Sequence, residues 1–406
     1  MANETAQLRR SSNLTSRRLR MGVIGCGGAS WMAHLHNLTK HPDTELVAVC
    51  DIDDKRRQAT VDKWRPKSSY SDYETMLNKE ELDAVIIATP NYLHREQGIA
   101  AAQAGLHALI EKPLACTNTE AWDIVRAFRY NNKKLMVGCD RRFSLQSEMA
   151  KKLIDDGFIG KLTMTRSTMH ELIFPYQENI ASTKYRLKPE QSGSGTLFDQ
   201  GSHKVDLLRW LTGKEVKRVI GSARRMLMPA GCPDDVAWVL MEFEDRTMAC
   251  VSTNRFSPTV SEVTELYGSE GTIYLCADAI NPFQSVPLAV YTGKEFEWDD
   301  LPDLIKKYRY PQSFFFEDWI AHPVAKHWVP VIPPRESSYA RMLAHFVECL
   351  ISDREPSVSG EDGAHVMEIM CGVFKSMETN AWVDLPLKEE IFPPGYPGRS
   401  ESAREF

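Results

Sequence analysis

The chain of 406 residues has no C-x-x-C pair, no membrane-length apolar run, no surplus of basic charge, no internal repeat and no low-complexity block. Each absence excludes something. Nine scattered cysteines, an odd number without close pairs, exclude a zinc ribbon and a disulfide framework and point to thiols in a reducing cytoplasm. The missing apolar run excludes a transmembrane helix, so no membrane partner is expected. A net charge of −6 argues against a general nucleic-acid binder. With neither H-E-x-x-H nor a Cys cluster, no metal site is expected. What remains is a soluble composition, 43% apolar and 26% charged, long enough for two domains with full cores.

The most informative stretch is Leu19-Arg20-Met21-Gly22-Val23-Ile24-Gly25-Cys26-Gly27-Gly28-Ala29-Ser30. A short apolar strand runs into a glycine-rich turn, and Trp31, Leu35 and Leu38 then follow a helical spacing. Glycine permits close backbone approach, and the helix that follows turns free N–H groups and its positive dipole end towards a pyrophosphate. Leu46-Val47-Ala48-Val49-Cys50 reads as the second strand and ends on Asp51, placed to accept bonds from a ribose 2′-OH. The third glycine position of the fingerprint holds Ser30 instead. A carboxylate at 51 repels a 2′-phosphate, and Arg56 and Arg57 read as solvated residues of the next helix; NAD is therefore expected over NADP.

Helical stretches near 53–65, 71–79, 92–105 and 117–130 alternate with apolar strands at 83–88, 107–111 and 134–138. That alternation predicts a doubly wound α/β Rossmann domain over 19–140 with a buried parallel sheet. Beyond about 160 the strands lengthen and alternate, as in 236–243 and 247–253, with Asp245-Arg246 as the hairpin turn between them. An α+β domain with a large, mostly antiparallel, open-faced sheet is expected over 141–386, its open apolar face serving as a dimer or tetramer interface. Helices near 337–351 and 361–379 are expected to pack back on the first domain. Residues 1–18 carry two Arg pairs but no apolar h-region, so they read as a disordered or oligomer-wrapping arm rather than an export signal. The tail 387–406, rich in Pro and Gly, reads as extended on a surface.

Three segments carry chemistry. Thr89-Pro90-Asn91-Tyr92-Leu93-His94 lies at the carboxyl end of a Rossmann strand, where open α/β sheets place ligands. Glu111-Lys112-Pro113 ends the next strand, and the proline biases Lys112 towards extended backbone that holds its ammonium over the crevice. Gly193 to Asp206 opens with a Gly/Ser turn and continues as a helix ending near Gly213. On that helix Asp199, His203 and Asp206 fall within roughly 60° of one another. Carboxylates one turn either side of a histidine suit a general base. A divalent-metal pair and a structural cap network near the helix start are the competing readings of the trio.

Together these segments resemble the glucose–fructose oxidoreductase / inositol dehydrogenase superfamily of NAD(P)-dependent enzymes, over about residues 19–386. The resemblance extends to Arg141-Arg142-Phe143, to Gly360-Glu361-Asp362-Gly363 before a helix, and to Trp382-Val383-Asp384-Leu385-Pro386. It implies a cofactor surface of Gly25, Gly27, Gly28, Ala29, Asp51 and Ile52 at one end. Thr89, Pro90, Asn91, His94, Glu111 and Lys112 would form the rest of that surface. It also implies that His203 accepts a hydroxyl proton, that Asp199 orients His203, and that Lys112 holds the oxygen as charge develops. Arg141 and Asp206 are read either as substrate-hydroxyl ligands or as structural ion-pair members. The implied substrate is a small polyhydroxylated molecule: a sugar, glycoside, cyclitol or sugar acid. An NAD-dependent glycosidase and a non-catalytic dinucleotide sensor are the alternatives. The aromatic stretch 293–335 reads as a sugar-stacking wall or lid, or else as core or interface.

Overall fold

The computed structural model describes residues 17–172, 181–276, 286–296, 298–309 and 326–397. The first sheet contains β1 (Leu19–Ile24), β2 (Thr44–Cys50), β3 (Ser68–Tyr70), β4 (Ala84–Ile87), β5 (His107–Ile110) and β6 (Leu135–Val137), in the order β3-β2-β1-β4-β5-β6. Every pairing is parallel. β4 is fully buried along its length, because helices cover both faces of the sheet. The register decides where the chemistry goes. Ile24 lies opposite both Cys50 and Ile87, and Ile87 opposite Ile110. Gly25, Asp51, Ala88 and Glu111, each one residue further on, therefore line up along one carboxyl edge.

Helices Asp54–Trp64, Tyr73–Lys79, His94–Gln103 and Asn118–Tyr130 connect these strands. The last begins with a reciprocal cap between Thr117 and Glu120, as Thr-x-x-Glu ahead of an apolar run dictates. After β1 the helix opens with a π turn over Ser30–His34 before Leu35–Lys40 continues as α.

The second sheet contains β7 (Leu162–Leu172), β8 (Val216–Arg224), β9 (Val236–Phe243), β10 (Met248–Asn254), β11 (Phe256–Gly268), β12 (Gly271–Cys276), β13 (Leu288–Thr292), β14 (Trp328–Val331) and β15 (Val383–Asp384). Their order is β14-β13-β12-β11-β7-β10-β9-β8-β15, antiparallel except where β10 meets β7. Asp245-Arg246 does form the turn between β9 and β10, with Arg246 at φ +72°. Alternation along β9 buries Ala237, Val239, Met241 and Phe243 and exposes Trp238 and Leu240. Met164 and Trp328 are exposed large apolar side chains on other strands of the same sheet.

Helix Thr196–Thr212 packs on β7, β9 and β10. Helix Gly360–Thr379 touches both halves, lying against Asn118–Tyr130 on one side and β8 on the other, with Trp122 Nε1 donating to Glu368 at 3.0 Å. Helix Ser338–Ile351 rests on the turn Asp140–Phe143. The tail returns to the first domain, where Ile391 N–H donates to Asn118 Oδ1 at 2.9 Å and Tyr396 OH to Glu120 at 2.9 Å. None of the nine cysteines, all of which lie among the described residues, is in a disulfide. Among the described residues no helix is long and apolar enough to cross a membrane. Of the aromatic stretch, Phe296 stacks on Phe158, and Trp328 packs on Tyr274 and Tyr291 of the sheet. Residues 310–325 lie outside the described residues, as does the arm 1–16.

Candidate active site

A cleft of about 860 Å³ runs along the carboxyl edge of the first sheet and is walled on its far side by the helix Thr196–Thr212. At one end lies the glycine turn. Gly25 sits at φ +93°, and a Cβ there would meet the Ala88 carbonyl oxygen at 2.5 Å, so no other residue fits without moving backbone. Cys26 N–H donates to Asp51 Oδ2 at 2.8 Å, tying the turn to the end of β2. Ser30, the non-glycine third position, is fully buried and donates its hydroxyl to the Gly25 carbonyl, which is how a side chain is accommodated there. Gly27, Gly28, Ala29, Asp51 and the exposed Ile52 all line this end.

Arg56 and Arg57 correct the expectation of a solvated face. Arg56 Nη2 lies 2.9 Å from Asp51 Oδ1, and Arg57 Nη1 donates to the Asp51 carbonyl at 2.7 Å. Both hold the strand end, and Arg56 lines the cleft.

Midway, Thr89, Pro90 and Asn91 line the cleft, and Asn91 Nδ2 reaches across to the Ser192 carbonyl at 2.8 Å. His94 corrects another expectation. It is fully buried outside the cleft lining, with its ring between the Pro113 carbonyl (3.0 Å) and the Thr89 carbonyl (2.9 Å), so it braces two strand-end loops. Glu111 lines the cleft and takes a 2.7 Å contact from His34 Nε2.

At the far end Lys112 Nζ donates to Asp199 Oδ1 at 2.8 Å and to the Asp199 carbonyl at 2.9 Å. The helix carrying Asp199 is anchored at its start by Asp234, whose carboxylate accepts from Gly195 N–H at 2.7 Å and Leu197 N–H at 2.8 Å. Gly195 is obligatory: a Cβ would lie 1.7 Å from the Asp234 carbonyl oxygen. Asp199 Oδ2 also meets Arg255 Nη2 at 2.9 Å and Arg186 Nη1 at 3.4 Å. Burial alone would raise this carboxyl, but Arg186, Lys112 and Arg255 outweigh it and hold it well below the usual carboxylate range. Asp199 is therefore an anion that fixes Lys112.

His203 lines the cleft one turn further on. Burial, with the positive charges of Lys112 and Arg141, pushes its imidazole well below the ordinary value, so it is neutral at physiological pH. The described contacts pair it with neither helical neighbour: Asp199 is taken by cations, and Asp206 by Arg142 at 2.8 and 2.5 Å. The expected Asp199–His203–Asp206 trio is thus corrected, because shared helix phase does not decide partners when arginines from other elements compete for the carboxylates. Asp206 is fully buried, lies outside the cleft lining, and is a structural ion-pair member. Its replacement by alanine is expected to cost roughly 3–5 kcal/mol by leaving Arg142 without its main partner. Thermal unfolding should show that loss while turnover per folded molecule is retained.

Arg141 does line the cleft, but Glu262 takes its Nε at 2.6 Å and its Nη2 at 3.1 Å. Lys204 Nζ donates to the same Glu262 at 2.9 Å. Burial would raise Glu262, but Lys204 and Arg141 outweigh it and bring it to about 2. The sequence reading missed Glu171, Lys184, Arg186, Tyr339 and Asp140, of which all but Asp140 line the cleft. For Asp140 a signal existed, since it follows β6 closely at the carboxyl edge where ligands bind. Arg186 and Tyr339 sit in segments with no motif to single them out.

Two family models match. Residues 19–139 match an oxidoreductase family with an NAD-binding Rossmann fold, and residues 147–274 match the GFO/IDH/MocA C-terminal domain. The chain belongs to the GFO/IDH/MocA family of oxidoreductases. It is 26% identical over 402 residues to D-apiose dehydrogenase of Paraburkholderia graminis, covering 97% of this chain and 96% of that one. It is 25% identical over 371 residues to myo-inositol 2-dehydrogenase of Thermotoga maritima, covering 90% and 98%. A levoglucosan dehydrogenase solved with NADH and levoglucosan shares its fold, with a TM-score of 0.74 at 22% identity over 91% of this chain and all of that one.

The residues fit NAD. Gly25 lets the tight turn pack against the end of β4, Gly27 and Gly28 present side-chain-free backbone to the cleft where a pyrophosphate would lie, and Asp51 lines the same end, where it would hold the adenosine ribose. Asp51→Ala is expected to weaken NAD by about tenfold, near 1.4 kcal/mol. It should also raise the relative use of NADP, because the repelling carboxylate is gone and Arg56 is left with Asp53 at 3.3 Å. Calorimetric titration with both dinucleotides checks this.

Proposed function

We propose that this oxidoreductase oxidises a secondary hydroxyl of a polyhydroxylated molecule (sugar, glycoside or cyclitol), with Lys112 and His203 handling the proton. The observation that carries the reading is the convergence of Lys112, from the end of β5, and His203, from the helix Thr196–Thr212, on one cleft with the glycine turn. NAD, when bound, accepts the hydride. Lys112 holds the hydroxyl oxygen and stabilises its developing negative charge, and Asp199 keeps the ammonium pointed inward. His203, neutral and buried, accepts the hydroxyl proton. Glu171, Arg141 and Arg186 supply further acceptors and donors suited to vicinal hydroxyls. Relatives named for apiose, inositol and levoglucosan support a substrate of this class.

Purified protein incubated with NAD and a panel of cyclitols, hexoses and glycosides should form free NADH in stoichiometry with oxidised product. Product without net NADH would favour the glycosidase alternative. NAD binding without turnover on any of them would favour a sensor. Nine cysteines outside any disulfide support work in a reducing, cytoplasmic setting.

The open face of the second sheet supports self-association. Trp238, Leu240, Met164 and Trp328 are each more than 40% exposed, a pattern that isolated chains seldom leave wet. Light scattering at micromolar concentration is expected to report a dimer or tetramer. Trp238→Glu should shift it towards monomer.

A further inference from the structure

We infer that Asp140 is the positioning residue of His203, fixing the ring tautomer that leaves one nitrogen free to accept the substrate proton. The inference rests on His203 being the proton acceptor. Asp140 is fully buried in the turn after β6. Its Oδ2 is fully engaged, accepting from Arg141 Nη1 at 2.8 Å and from the Ser338 hydroxyl at 2.8 Å. Its Oδ1 is buried without a hydrogen-bond partner, and so is His203 Nδ1. These two orphan atoms face each other at 3.5 Å.

A buried donor and a buried acceptor left unmade are each costly, and their pairing satisfies both. Contacts of this kind are often long before substrate is bound and tighten afterwards. With Nδ1–H directed at Asp140, the Nε2 lone pair is left for the cleft. Once Nε2 has taken the proton, the carboxylate stabilises the imidazolium against the surrounding charges of Lys112, Arg141 and Lys204, which oppose it. Asp199, the acid one turn before His203, is held by Lys112, Arg255 and Arg186 instead.

The test is 15N NMR of imidazole-labelled, NAD-loaded protein, with the His203 signals identified by their loss in His203→Gln. The native protein should show the Nδ1–H tautomer. In Asp140→Asn the carboxamide N–H can face the ring, and the tautomer should switch to Nε2–H. In that variant turnover of the panel substrate should fall by roughly 100-fold or more, with the KM for NAD unchanged. A purely packing role would lower folded fraction and activity together and leave the tautomer alone. An Nε2–H tautomer in the native protein overturns the inference, as does an unchanged tautomer in a folded Asp140→Asn variant. Normal NADH formation by His203→Gln would instead overturn the base assignment on which it rests.

Discussion

Lys112→Ala is expected to lower turnover by roughly 100-fold or more while NAD affinity stays within about twofold. The ammonium interacts weakly with a neutral hydroxyl and strongly with an alkoxide, so its loss falls on the transition state rather than on binding. A purely structural role makes a different forecast. Lys112 is one of three cations on Asp199; Arg255 and Arg186 remain after its removal, so the carboxylate is not left bare. Thermal stability should therefore change little compared with turnover. Steady-state kinetics on panel substrates, beside a melting curve and an NAD titration, separates the two. Parallel loss of stability and activity, or near-normal turnover in a folded variant, would contradict the role assigned to Lys112.

His203→Ala is expected to cost about 100- to 10,000-fold by removing the proton acceptor. Its ionisation has a second consequence. The folded protein takes up this proton only well below the ordinary imidazole value, whereas the unfolded chain takes it up near pH ~6.5. Between those points the unfolded state binds more protons, so the contribution of His203 to stability falls as pH falls. The same depression keeps the base competent in mildly acid solution. The acid limb of kcat/KM should lie below the usual imidazole range, and a limb at or above pH ~7 would identify a different group as the base.

Much of the fold was legible in the sequence because the first domain obeys local rules. Strand–turn–helix periodicity and the Asp51 strand end both place themselves from neighbouring residues alone. The alternation of β9 likewise announced a sheet with one open face. The site was legible as a set of residues but not as a set of partnerships. Helical spacing put Asp199, His203 and Asp206 on one face, yet Arg142, Arg255 and Arg186 reach their carboxylates from other elements. Periodicity carries no information about side chains arriving from elsewhere. His94 shows the same limit from the other side: its position after Thr-Pro-Asn suggested a ligand contact, and the fold uses it as a brace between two loops. Arg56 was misread because a helix-start arginine looks solvated until the strand end beside it is found to be an acid facing inward.

The most direct test of the central claim is a crystal structure of the protein with NAD and the panel substrate it turns over. One substrate hydroxyl oxygen should lie within hydrogen-bond reach, about 2.6–3.2 Å, of both Lys112 Nζ and a ring nitrogen of His203. A substrate seated with no hydroxyl shared by those two side chains would contradict the account.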